Sequence, residues 1–141
     1  MSNSTDAPLI LIVDDDPDYL LRERLQLEAA GYRVIEAGGV SEAQEAAQQH
    51  SPDLVIVDLM MEEPDAGFTV CWFLKKQHPG LPVIIVTAVA AETGLDFDAA
   101  TREERAWIKA DAVLAKPVRF EQLQAEMNRL GVPVAKAPEG H

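Results

Sequence analysis

Five residues of this chain could do polar chemistry together: Asp14, Asp15, Asp58, Thr87 and Lys116. Each follows a short apolar run. Leu9 to Val13 leads into Asp14-Asp15, the run from Leu54 to Val57 into Asp58, Val83 to Val86 into Thr87, and Ala112 to Ala115 into Lys116-Pro117. A single aspartate after a strand often does no more than cap the next helix. Four strand-like runs that all end in a reactive type of residue carry more. Runs this apolar on both faces fit strands of a parallel sheet, and such sheets hold ligands at the carboxyl ends of their strands. The five residues would therefore converge on one edge. Neighbouring carboxylates repel one another and need a cation, and hard oxygen donors suit magnesium. A lysine and a hydroxyl beside that group make a site for a phosphoryl group: metal and ammonium neutralise its oxygens, and the hydroxyl donates a hydrogen bond.

The positioning elements can be read in order. Asp16-Pro17 opens a helix, with Asp16 as N-cap and Pro17 at the first helical position, and Gly31 closes it. Its apolar residues (Leu20, Leu21, Leu25, Leu27, Ala30) are smeared around the helix and define no single buried face. Arg33 to Ala37 is a short, more polar strand suited to an edge. Gly38-Gly39 turns into a helix from about Val40 to His50, whose Ala43, Ala46 and Ala47 allow close packing on the sheet. After Asp58 comes a turn rich in Glu62, Glu63, Pro64, Asp65 and Gly67, then a helix from about Phe68 to Gln77. Thr101 to Glu104 reads as a capping box opening a short helix to about Lys109. Phe120, Leu123, Met127 and Leu130 mark one face of a last helix, about Arg119 to Leu130. Five strands alternating with five helices give a doubly wound parallel α/β sheet, (βα)5. Residues 1–8 read as a disordered leader, 9–130 as one domain and 131–141 as a flexible tail.

Composition narrows the class. A chain of 141 residues suffices for one domain with a core. No apolar run approaches the roughly 20 residues of a membrane span, and the polar start lacks signal-peptide character, which predicts a cytoplasmic protein with no membrane partner. The single cysteine, Cys71, excludes an intramolecular disulfide and lies in an apolar stretch, as a small core residue would. With 24 acidic against 12 basic residues, a net charge of −12 argues against nucleic-acid binding and suits a divalent cation or a basic partner surface.

The motifs Ile-Val-Asp14-Asp15, Val-Asp58-Leu-Met-Met, Thr87-Ala88 and Lys116-Pro117, in this order on these strands, resemble the response-regulator receiver domain of two-component signalling. The likeness covers roughly residues 7–130 and implies a flavodoxin-like fold. It also implies that Asp58 accepts a phosphoryl group from a phosphohistidine of a sensor histidine kinase or phosphotransfer protein. Asp14 and Asp15 would hold Mg²⁺ with Asp58 and the backbone carbonyl of Met60. Thr87 would bind the phosphoryl oxygen, Ala88 would keep the site open, and Lys116 would pair with the phosphoryl group. The resemblance implies a phosphoacceptor that assists its own phosphorylation and dephosphorylation, not an enzyme in the ordinary sense.

Three features depart from the family pattern. Val113 stands three residues before the lysine, where the family usually has an aromatic switch residue. Glu62 stands where a proline is common, and the Thr87 to Lys116 segment is longer than usual. Within it Val89 to Ala110, with Leu95 and Phe97 on its loop, is where output specificity is expected. The chain's end soon after the last helix suggests a single-domain regulator acting by docking or phosphorelay on a downstream protein not named by the sequence. The apolar stretch Val70 to Leu74 offers a candidate surface for a partner or a second copy. Two alternatives are a small haloacid-dehalogenase-like phosphatase with Asp14 as nucleophile, and a pseudo-receiver that binds partners without phosphorylation.

Overall fold

The computed structural model describes residues 7–58, 66–87, 111–115 and 118–132. Five parallel strands form one sheet: β1 (Leu9–Val13), β2 (Arg33–Ala37), β3 (Leu54–Asp58), β4 (Val83–Thr87) and β5 (Ala112–Ala115), in the order β2-β1-β3-β4-β5. Four helices lie among the described residues: α1 (Pro17–Ala29), α2 (Val40–His50), α3 (Ala66–Gln77) and α4 (Phe120–Arg129). The helix expected from Thr101 to about Lys109 lies outside the described residues.

Strand alternation divides the core into two layers. Leu11, Val13, Val55, Val57, Val83 and Ile85 face Ala43 and Ala47 of α2 and Val70, Cys71 and Leu74 of α3. Ile10, Ile12, Leu54, Ile56, Ile84 and Val86 face Leu20 and Leu27 of α1 and Leu123 and Met127 of α4. Both faces of the central strands are buried, which is why their sequences read as unbroken apolar runs. The exposed Arg33 and Glu36 mark β2 as an edge, as expected.

Local chemistry sets the limits of α1. Asp16 Oδ1 accepts from the Asp18 N–H at 3.0 Å, Pro17 occupies the first turn, and Gly31 takes a left-handed φ of 100° after the Ala30 cap. Packing resolves the smeared stripe: Leu20 and Leu27 are buried, while Leu21 and Leu25 are 53% and 57% exposed. Helix α3 begins at Ala66, two residues before the expected start, so Gly67 belongs to its first turn. First-turn N–H groups have no partner within a helix, so glycine costs less there than in the middle. Val70, Cys71 and Leu74 are buried and Phe73 packs against the same core, leaving Trp72 outside at 46% exposure with the Lys76 ammonium 4.7 Å from its ring centroid. The candidate partner stretch is therefore mostly core. Burial pushes the Cys71 thiol up to about 12.

The packed fold reaches slightly past the expected boundaries at both ends. Pro8 is buried and its carbonyl accepts from the Arg33 N–H at 3.0 Å. Val132 is 5% exposed, and its N–H donates to the Met127 carbonyl at 2.9 Å, which closes α4 beyond Gly131.

At the amino edge of the sheet, two aspartates repeat one device. Asp53 Oδ2 accepts from the Leu9 N–H at 2.8 Å, while the Asp53 N–H donates to the Leu9 carbonyl at 2.7 Å. Asp111 Oδ2 accepts from the Val83 N–H at 2.8 Å, and its own N–H donates to the Val83 carbonyl at 2.9 Å. Each side chain thus satisfies the first N–H of a neighbouring strand. Asp111 also receives the Lys75 ammonium at 3.0 Å, and its carbonyl accepts from Arg129 Nη2 at 2.9 Å, tying α3 and α4 to the start of β5.

Candidate functional site

Reversal of strand order between β1 and β3 opens the crevice in which doubly wound sheets bind ligands. Val13 pairs with Val57 in the register of these strands, so the next residues, Asp14 and Asp58, stand side by side at the carboxyl edge. Both are buried, at 2% and 6% exposure. Asp14 Oδ1 accepts from the Asp16 N–H at 2.9 Å, and the Asp14 N–H donates to the Ala37 carbonyl at 3.1 Å. These bonds fix the turn that leads from β1 into α1. Asp15 lies within that turn and is exposed.

Register also places the other expected residues. Asp58 pairs with Val86, so Thr87 ends β4 one residue further along the same edge. Thr87 pairs with Ala115, the last residue of β5 and the one before Lys116. Lys116, Met60, Ala88, Leu95 and Phe97 lie outside the described residues. Val113 pairs with Ile85 and packs partly buried against the α2–α3 layer of the core. Asp16, exposed, serves as the α1 N-cap. His50 ends α2, and the His78 N–H donates to the Leu74 carbonyl at 2.7 Å just past α3. Both histidines thus lie at helix ends.

One residue that sequence reasoning passed over belongs to this edge. Tyr19 occupies the first turn of α1 and is half-buried. Burial first, then the charges of Glu23, Asp14 and Asp58, hold its phenol well above its ordinary pKa, so the ring stays neutral beside the acids. Its signal in the sequence was only its place, a few residues beyond Asp14-Asp15.

Whether this donor set suits a metal can be judged from its chemistry. Among the described residues, no three acidic, histidine or cysteine side chains stand together as a ready metal cage. Magnesium does not require one, because it keeps several waters and is commonly held by one or two carboxylates. The buried pair Asp14 and Asp58, with Asp15 at the rim, fits that hard cation, and the adjoining negative charges favour its binding.

A groove of about 350 Å³ lies at the opposite edge, lined by Ser51, Pro52, Asp53, His78, Leu81 and Pro82 among others; Asp14, Asp15, Asp58 and Thr87 are not among its lining residues. Among the described residues, no helix is long and apolar enough to cross a membrane.

The sequence model of the response regulator receiver domain matches residues 10–128. Curated relatives include the DNA-binding dual master transcriptional regulator RpaA of Synechocystis, 35% identical over 127 residues covering 87% of this chain and 48% of that one. The alkaline phosphatase synthesis transcriptional regulatory protein PhoP of Bacillus subtilis is 31% identical over 86% of this chain and 47% of its own length. The chain thus spans about half the length of these relatives. Among solved structures, the response regulator protein TrrA of Thermotoga maritima in complex with Mg²⁺-BeF superposes with a TM-score of 0.67 at 29% identity, over 87% of this chain and 98% of that one. The signal receiver domain of a signal transduction histidine kinase from Syntrophus aciditrophicus gives a TM-score of 0.69 at 29% identity, over 88% and 89% of the two chains.

Proposed function

Because this chain belongs to the response regulator receiver family, we propose that Asp58 is its phosphoacceptor, loaded from a phosphohistidine of a sensor histidine kinase or phosphotransfer protein. The observation that carries the reading is the β1–β3 register, which sets the buried Asp58 beside Asp14 at the switch point of the sheet. In the transfer, a carboxylate oxygen of Asp58 bonds to phosphorus as the phosphorus–nitrogen bond breaks. The electron pair returns to the imidazole of the donor, which takes up a proton.

Asp14 and Asp58, with Asp15 and the Met60 carbonyl, would hold Mg²⁺, which when bound supplies charge neutralisation at the phosphoryl oxygens. Thr87 donates a hydrogen bond to one of those oxygens, and Lys116 balances the charge of another. Placement of Thr87 at the end of β4 and of Ala115 opposite it on β5 supports these roles, since both strands lead to the edge that carries Asp58. The Asp16 N–H, which donates to Asp14 Oδ1, fixes that carboxylate where it can serve as a metal ligand beside Asp58. Output passes through protein docking or phosphorelay, with specificity in the 89–110 segment, and the domain itself contacts no nucleic acid. This last point concerns the receiver alone, because the matched relatives are transcriptional regulators of about twice its length.

Incubation with acetyl phosphate and Mg²⁺, followed by mapping of the modified residue, tests the assignment. Labelling should fall on Asp58, require the metal and vanish in Asp58→Asn. Undiminished labelling of that variant would overturn it. Lys116→Ala should retain metal binding but respond poorly to phosphorylation.

A further inference from the structure

The groove at the amino edge carries an electrostatic pattern of its own. Two helices end on it: Ser51 is the C-cap of α2, His78 follows the last residue of α3, and both line the groove. Helix C-termini bring partial negative charge from their last carbonyls. Asp53, an exposed residue of the same lining, adds a full charge. Its Oδ2 accepts from the Leu9 N–H at 2.8 Å, and its Oδ1 makes no hydrogen bond among the described residues. Ser51 holds a left-handed φ of 49°, a conformation that favours glycine at a helix end, and so keeps a hydroxyl where glycine would offer none. Hydroxyl, carboxylate and neutral imidazole all accept hydrogen bonds, and no lysine or arginine lines the groove. The Lys75 ammonium is committed to the Leu81 carbonyl and to Asp111. Pro52 and Leu81, both buried, add apolar surface to the lining.

We propose that this groove binds a small organic cation, a primary ammonium or guanidinium on a short aliphatic chain. Asp53 holds the charged head beside the two helix C-termini, Ser51 and His78 offer further acceptors, and the methylenes meet Pro52 and Leu81. A volume of about 350 Å³ lies at the small end of the range for ligand sites, roughly 300–1,000 Å³. Asp53 also joins the start of β1 to β3, so the ligand meets a carboxylate whose place is set by the sheet. The inference is independent of which residue accepts phosphate.

The test titrates the whole isotope-labelled chain with pentylamine and pentylguanidine, following backbone amide shifts by NMR, with 1-pentanol and pentanoate as neutral and anionic controls. The cations should shift Ser51, Asp53, Gly80 and Leu81 with a Kd on the order of 1 mM, and pentanoate should not. Because Asp53 is exposed, its charge should count for about fivefold in affinity. That factor should separate pentylamine from pentanol, and native protein from Asp53→Asn, which keeps an oxygen for the Leu9 N–H. Gly80 offers a second variant, because a Cβ there meets nothing within 4 Å. Gly80→Lys adds a tethered ammonium that competes for the groove, and should also weaken the cations about fivefold. Native-like amide dispersion identifies the folded variants, and Gly80→Lys carries the test if Asp53→Asn unfolds. Shifts confined to Asp14, Asp15, Asp16 and Thr87 at the other edge overturn the inference, as does pentanol binding as tightly as pentylamine. Native affinity in the folded variants overturns it too. A tenfold preference for N-acetyl-lysine methylamide over pentylamine assigns the groove to a basic side chain of a protein partner and overturns it as well.

Discussion

At the amino edge of the sheet, Asp53 and Asp111 each meet the first N–H of a neighbouring strand, and Asp111 also receives Lys75. At the carboxyl edge, Asp14 and Asp58 are set beside one another, buried, with a third acid at the rim. The same side chain serves two opposite purposes on the same sheet. An aspartate whose oxygens meet donors supplied by the fold stabilises it. Asp14 also meets a donor of the fold, the Asp16 N–H, but the two neighbouring carboxylates repel one another, and a bound cation would offset that repulsion. This chain places acids at both ends of its sheet, against strand N–H groups at the amino edge and beside one another at the carboxyl edge.

The sharpest way to break this comparison is to exchange one acid on each edge for its amide. Asp58→Asn should reduce labelling by acetyl phosphate to background, whereas Asp53→Asn, which keeps a carbonyl oxygen for the Leu9 N–H, should be labelled like native protein. Equal loss in both would mean that the edges are not functionally distinct.

Next in size is Asp111→Ala. It removes the acceptor of the Val83 N–H and the ion-pair partner of Lys75, whose side chain is only 16% exposed. Leaving a largely buried ammonium and an N–H short of an acceptor should cost about 3 kcal/mol, read as a lower urea midpoint at unchanged slope. Magnesium should act on the other edge alone. At a hundredfold excess over its Kd it should stabilise native protein by about 2.7 kcal/mol, and Asp111→Ala by the same increment, but Asp58→Asn by much less.

The smallest effects carry opposite signs. Asp53→Ala should destabilise by about 1 kcal/mol, because the Leu9 N–H loses its acceptor. Without divalent cations, Asp14→Asn should stabilise by about 1 kcal/mol, because it removes one of two neighbouring charges while an amide oxygen remains for the Asp16 N–H. Urea titration in chelator compares the two directly. Destabilisation by both substitutions would place the carboxyl-edge acids among the structural ones.

Much of this molecule follows from local sequence. Apolar runs buried on both faces specify parallel strands, and an acid or hydroxyl at the end of such a run specifies which edge it occupies. Asp16-Pro17 and Gly31 bound α1 through backbone chemistry that acts within a few residues. The stripe of α4 names its buried residues, Leu123 and Met127, because its period is clean. The period of α1 is not, and only packing decided that Leu20 and Leu27 turn inward while Leu21 and Leu25 face solvent. The roles of Asp53 and Asp111 were equally invisible, since their partners lie 44 and 28 residues away, and a carboxylate at a strand's start carries no mark of the N–H it will meet. Tyr19 reads in sequence as one more residue of a helix. Its relation to Asp14 and Asp58 exists only once β1 and β3 pair, because register joins acids far apart in the chain.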